Sequence, residues 1–155
     1  MRIEHTFTIQ APIQTLWEFL FDVEQVGGCM PGVESIEALD AEMYEGTLKV
    51  KVGPIAASFQ GKVRLLEVDP PHRLVAKAEG KDGRTASLVS GTFTAVLRPL
   101  AKDQTEVGYQ IDAGVRGRLG QLGQGVMLEV ARCLTTDFAR CVEARLQGPT
   151  SRGCG

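Results

Sequence analysis

A chain of 155 residues with 43% hydrophobic and 23% charged side chains has ordinary globular proportions. It is long enough for one domain that buries about two thirds of its unfolded surface. No apolar run approaches the ~18 residues of a membrane span, and the opening MRIEHTFTIQ alternates apolar and polar residues instead of holding the apolar core of a signal peptide, so a cytoplasmic location is expected. The net charge of −2 is unevenly spread: from Arg116 onward six arginines stand against three acids, a local balance of +3, which leaves −5 for the residues before. The basic residues are not interleaved with aromatics, which argues against nucleic-acid binding.

Ile3, His5, Phe7 and Ile9 alternate with Glu4, Thr6, Thr8 and Gln10, the period of a strand with one buried face. Pro12 ends it and opens a short helix, in which Leu16, Trp17, Leu20 and Phe21 keep three-and-four spacing to about Asp22. A second helical turn, DVEQVGG, is expected to be cut by Gly27 and Gly28, and Cys29-Met30-Pro31-Gly32 then reads as a turn.

From Ser35 to Val115 the chain reads as a run of strands: SIEAL, EMYEGTLKVKV, IAASFQGKVRLLEVD, RLVAKAEGKD, ASLVSGTFTAVLRPL and TEVGYQIDAGVRG. Turn signals separate them, among them Gly53-Pro54, Asp69-Pro70-Pro71 and Asp82-Gly83. Gly61 is placed for a bulge or bend. Successive hairpins mean an antiparallel meander.

The final element is a helix of ~30 residues, about 45 Å long, from Gly117 to Leu146. Gly120, Gly123, Met127, Val130, Leu134, Phe138 and Cys141 lie on one side with Ala131 and Val142 beside them, while Arg118, Glu129, Arg132, Arg140 and Glu143 lie on the other. Exposed ion pairs such as Arg140 with Glu143 are expected there. Glycines at its start cost roughly 1 kcal/mol each in a helix interior, so either the first turns fray or a cavity opens there. One-sided strands need a cover, and only this helix can supply it. The expected fold is α+β: a curved antiparallel sheet of about seven strands wrapped around the long C-terminal helix, with two short helices after the first strand. Residues 1–146 form the domain, and the tail 147–155 is expected to be disordered.

The four cysteines, Cys29, Cys133, Cys141 and Cys154, form no CxxC pair and have no clustered histidines, so no metal site is expected. Cys133 and Cys141 would lie about 12 Å apart along the helix, beyond the ~7 Å reach of a disulfide, and the cysteines read as small hydrophobes. Cys29 is also considered as a reactive thiol in its turn. For acid–base chemistry the inward-facing candidates are His5 and Tyr109. His72 is expected in solvent. Glu67 and Glu79 are expected beside Lys and Arg rather than as an inward carboxylate pair. No nucleophile triad or phosphate-binding fingerprint is present, since GQLGQGV opens a helix without a following Lys.

Three stretches carry a family resemblance: FTIQAPIQTLWEFLFDVEQVGGCMPGVES, YEGTLKVKVGPIAASFQGKVRLLEVD and GRLGQLGQGVMLEVARCLTTDFARCV. Together they resemble the carbon monoxide dehydrogenase G-subunit family of the helix-grip (START-type, polyketide-cyclase-like) superfamily, over about residues 1–146. Cys29-Met30-Pro31-Gly32 and Lys51-Val52-Gly53-Pro54 are the most family-like words. The resemblance implies a non-catalytic accessory protein that helps recruit a molybdenum hydroxylase of the carbon monoxide dehydrogenase type to the inner face of the membrane. It also implies an apolar ligand, a quinone or lipid, in the cavity, with no covalently bound cofactor. The resemblance also implies longer members with a linker and membrane-binding tail, and with only a short tail after Leu146 direct membrane anchorage is not expected. Trp17, Leu20, Phe21, Met30, Phe59, Phe93, Met127, Val130, Leu134 and Phe138 are the candidate ligand-binding residues, and each is equally open to being plain core. Access would run between the turns at Gly28 to Gly32 and Lys51 to Pro54 and the glycine-rich start of the helix. Two alternatives stand beside this reading: an enzyme of the cyclase or dehydratase kind using the same cavity, and a protein-docking module presenting Arg132 and Arg140.

Overall fold

The computed structural model describes residues 2–30, 32–52, 55–84 and 86–146. The chain order is β1 (Arg2–Ile9), α1 (Ile13–Leu20), α2 (Val23–Cys29), β2 (Val33–Ala38), β3 (Met43–Val52), β4 (Ile55–Asp69), β5 (Arg73–Asp82), β6 (Ser87–Ala101), β7 (Gln104–Arg116), a 3₁₀ turn (Leu119–Leu122) and α3 (Gln124–Leu146). The seven strands form one antiparallel sheet in the order β1-β7-β6-β5-β4-β3-β2. The expected architecture is therefore present: the first strand closes beside the last, and the meander fills the sheet between β7 and β2. The tail expected to be disordered, 147–155, lies outside the described residues, as do Pro31, Gly53 and Pro54 of the two family-like turns.

The sheet bends where side chains are missing. Gly46 of β3 stands opposite Gly61 of β4, which stands opposite Gly80 of β5. A Cβ on Gly46 would run into the Ser35 carbonyl, and one on Gly61 would meet the Glu79 carbonyl at 2.8 Å, so the backbones there approach more closely than any other residue allows. The bulge in β4 falls later than Gly61, at the register shift between Leu65 and Glu67.

Three local expectations are corrected. First, Gly27 and Gly28 do not cut α2, which continues through them to Cys29. A Cβ on Gly27 would strike Ile36 of β2, and one on Gly28 would strike the Arg145 guanidinium of α3, so these glycines let α2 lie close to its neighbours. Second, the last helix is shorter than expected. Gly117 and Gly123 have φ of +88° and +87°, a left-handed conformation that favours glycine, and between them the chain makes only the 3₁₀ turn. The α3 helix proper has 23 residues, about 35 Å at 1.5 Å per residue. Third, Arg140 and Glu143 do not pair. Glu143 instead accepts a hydrogen bond from the Gln10 backbone N–H at 2.7 Å, tying α3 to the end of β1.

The core is split. The larger cluster gathers Ile9, Ala11, Leu16, Trp17, Phe19, Cys29, Leu97, Val107 and Val142, so it joins β1, α1, α2, β6 and β7 to the C-terminal half of α3. The smaller one is Ala57 and Phe59 of β4, with Val50, Val89, Val115, Leu122 and Val130 against them. The 3₁₀ turn drops Leu122 onto this second cluster.

Candidate functional site

Between the two clusters α3 faces the sheet. Its close backbone approaches are to β1, α2 and the 3₁₀ turn, and those to the middle strands are sparser. Leu48, Val50, Val63, Leu65, Ala78, Phe93, Ile111 and Val115 point from the sheet toward the helix, as strand alternation requires. Met127, Val130, Leu134 and Phe138 lie on the facing side of α3. All twelve are only half-buried. Their partial exposure marks this stretch, between the two packed clusters, as the least covered apolar part of the layer between helix and sheet.

The candidate ligand-binding residues divide by position. Trp17 is 6% exposed within the larger cluster, with Leu20, Phe21 and Phe138 packed against that cluster; Trp17 and Phe21 place their rings 5.0 Å apart. These four lie at the closed end. Phe59, 8% exposed, anchors the smaller cluster, with Val130 against it. Phe93, Met127 and Leu134 are the half-buried residues between the clusters. Met30 is half-buried at the C-cap of α2.

One group of polar side chains meets on the β1/β7 side, apart from the buried Asp82 and Ser87 at the β5/β6 hairpin. His5 of β1 pairs with Tyr109 of β7. The His5 ring stacks on Phe7 at 6.2 Å and meets Tyr109 edge-on at 6.0 Å; Phe93 stacks on Tyr109 at 6.0 Å. The Tyr109 Oη lies 2.6 Å from Thr135 Oγ1 of α3, and Thr135 Oγ1 donates to the Ala131 carbonyl at 2.8 Å. This is a direct polar link from sheet to helix. Sequence reasoning found His5 and Tyr109 and missed Thr135, although its place on α3 one turn after Ala131 and two turns before Val142 pointed to the same face. Elsewhere the expectations for polar groups agree with the structure: His72 is exposed, Glu67 pairs with Arg73 at 3.4 Å and Glu79 with Lys77 at 3.8 Å. Among the described residues no group of His, Cys, Asp and Glu could hold a metal ion.

The cysteines differ from expectation. Cys29, the last residue of α2 rather than part of a turn, forms a disulfide with Cys141 of α3, Cα to Cα 5.4 Å. Cys133 is an exposed free thiol rather than a buried hydrophobe. The bond fastens α2 to α3 beside the Arg145 guanidinium, which donates to Gln25 Oε1 at 2.5 Å. Both hold the C-terminal half of α3. A separate trough of about 700 Å³ opens on the opposite face of the sheet, lined by the polar set Glu37, Glu45, Lys62, Glu79 and Lys81 over the glycine row. Leu88 and Val89 also line it, so its walls mix charged and apolar side chains.

A family model for the G subunit of carbon monoxide dehydrogenase (CoxG) matches residues 6–147. The chain belongs to the CoxG family. Solved structures share the fold of this CoxG-family chain. It is similar to a conserved protein from Geobacillus kaustophilus (19% identity, 95% of each chain covered, TM-score 0.87). It is also similar to a START superfamily protein from Mycobacterium smegmatis (14% identity, 94% of this chain and 97% of that one, TM-score 0.68). A third similar structure is the Zhui aromatase/cyclase from Streptomyces sp. R1128 (19% identity, 95% and 93%, TM-score 0.66). At these identities the likeness establishes the helix-grip fold. No curated protein matches the chain. No helix among the described residues of this CoxG-family chain is long and apolar enough to cross a membrane.

Proposed function

We propose that this protein is a non-catalytic carrier or adaptor that holds an apolar molecule, a quinone or lipid, between α3 and the sheet. In that role it serves a molybdenum hydroxylase of the carbon monoxide dehydrogenase type from the cytoplasmic side, with peripheral contact at the inner face of the membrane. The observation that carries the reading is the set of facing apolar side chains, Phe93, Met127 and Leu134 among them, that remain half-buried while both ends of the molecule are packed. Ligand pockets are mostly apolar with a few placed polar groups, and Met supplies a wall that adapts to its occupant. Family membership supports the choice of partner.

The test is solvent extraction and mass spectrometry of the purified protein, followed by binding of decylubiquinone and, separately, a short-chain phosphatidylcholine. Met127→Trp fills the space from the helix side and should weaken binding roughly 5- to 150-fold, the equivalent of overpacking by about 1–3 kcal/mol. Unchanged affinity in that variant, with the fold intact, refutes a ligand between α3 and the sheet.

A further inference from the structure

Buried polar side chains lie at the β5/β6 hairpin, Asp82 and Ser87, while a second polar group sits where β1, β7 and α3 meet, and its hydrogen bonds leave a defined remainder. Thr135 spends its one hydroxyl proton on the Ala131 carbonyl. The proton in the 2.6 Å contact between Tyr109 and Thr135 must then come from the phenol, because each hydroxyl has one proton to give. Both protons are spent, and Tyr109 Oη keeps its lone pairs as an acceptor. Beside it His5, half-buried on the same face, makes ring contacts with Phe7 and Tyr109 and takes no hydrogen-bond partner among the described residues. A neutral imidazole carries one N–H donor and one acceptor nitrogen.

We propose that His5, Tyr109 and Thr135 form a subsite for a hydroxyl group on an otherwise apolar ligand: a phenol, a hydroquinone or an alicyclic alcohol. The assignment rests on the carrier reading above. A ligand hydroxyl donates to Tyr109 Oη and accepts from the His5 N–H, so it satisfies both groups. A carbonyl can only accept, so it uses His5 and leaves Tyr109 unmatched. A pure hydrocarbon uses neither. No charged side chain enters this cluster, so the favoured head group is neutral. If the ligand is a quinone, the subsite favours its reduced, hydroxyl-bearing form. Thr135 acts as a positioning residue: by taking the phenol proton, it makes Tyr109 an acceptor.

The test uses the full chain and three probes of one ring size: 1-naphthol, 1-tetralone and naphthalene, with binding measured by equilibrium dialysis. Tyr109→Phe and His5→Leu should each weaken 1-naphthol roughly 3- to 10-fold, the worth of one hydrogen bond between uncharged groups, and leave naphthalene within about twofold. Thr135→Val keeps the side-chain shape and frees the phenol proton, so it should move selectivity toward 1-tetralone. Naphthalene binding doubles as the check that each variant is folded. If the variants bind 1-naphthol as the wild type does, or lose 1-naphthol and naphthalene in parallel, the subsite is refuted while the cavity stands. If the wild type binds none of the three probes, the carrier reading falls as well.

Discussion

Breaking the bond between Cys29 and Cys141 should lower stability by an amount that follows from chain length. The two residues are 112 positions apart, and closing a loop of that size in the unfolded chain is worth about 5 kcal/mol on the chain-entropy estimate, with measured disulfides commonly giving about 2–4 kcal/mol. A domain of this size loses about 2–4 °C of melting temperature per kcal/mol. Cys29→Ser, Cys141→Ser and the reduced wild type should therefore melt about 5–15 °C below the oxidised protein in circular dichroism or calorimetry. Alkylation of the denatured protein should find two more thiols after reduction than before. Because the bond joins α2 to the C-terminal half of α3, where Val142 is fully buried and Glu143 and Arg145 make their hydrogen bonds, its loss loosens one end of the helix. A melting shift below about 2 °C in all three samples would refute this, since the entropic constraint is lost whichever sulfur is removed.

The break before α3 gives a paired test. A Cβ on Gly123 meets nothing within 4 Å, so Gly123→Ala should cost roughly 1–3 kcal/mol through its backbone alone, since φ +87° with ψ 162° is a region essentially only glycine adopts, whereas Gly125→Ala, equally unobstructed but within the helix, should gain up to about 1 kcal/mol; urea denaturation reads both, and equal signs would contradict this account of the break. Leu16→Ala, at a fully buried position in the larger cluster, should cost about 2–5 kcal/mol in the same assay and leave naphthalene affinity in the folded protein unchanged. Arg132→Glu with Arg140→Glu reverses two exposed charges on the outer side of α3; naphthalene binding measured by dialysis should be unaffected, and a loss would link that face to the ligand space.

Much of the fold was legible because each strand declared its own period. Ile3, Phe7 and Ile9 against Glu4, Thr6 and Thr8, or Val107, Tyr109 and Ile111 against their neighbours, assign a buried face without any tertiary knowledge, and hairpin turns then force the antiparallel order. The glycines were the least legible residues. Gly27 and Gly28 look like helix breakers in the sequence, yet here they are the thin places where α2 meets Ile36 and Arg145, a requirement set by residues 9 and 117 positions away. Gly117 and Gly123 looked like the start of a helix and are instead positive-φ corners around a 3₁₀ turn. The disulfide was hidden for the same reason: a separation of 112 residues leaves no local spacing to read, and only the packing of α2 on α3 brings the sulfurs together. At the site, the apolar periodicity gave a list of inward residues but could not say which end of the helix was closed. Trp17 and Phe138 carry the same signal as Met127 and Leu134, and only the split core separates them.

That split is what connects the fold to its proposed use. A long amphipathic helix over a one-sided sheet would ordinarily settle until its whole apolar stripe was buried, at about 25 cal/mol for each Å² removed from water. Here α3 is held at two places instead. At its C-terminal half the disulfide, the Glu143 and Arg145 hydrogen bonds and Val142 fix it to α2 and β1. At the other end the 3₁₀ turn sets Leu122 and Val130 against Phe59. Midway, the Tyr109 to Thr135 hydrogen bond holds helix and sheet at the separation of a phenol plus a hydroxyl, wider than small aliphatic side chains would allow. With both ends and the middle fixed, Phe93, Met127 and Leu134 cannot close on one another without breaking one of these attachments. The apolar surface left uncovered is the surface the proposed ligand would bury, gaining part of the free energy that the helix does not gain by settling.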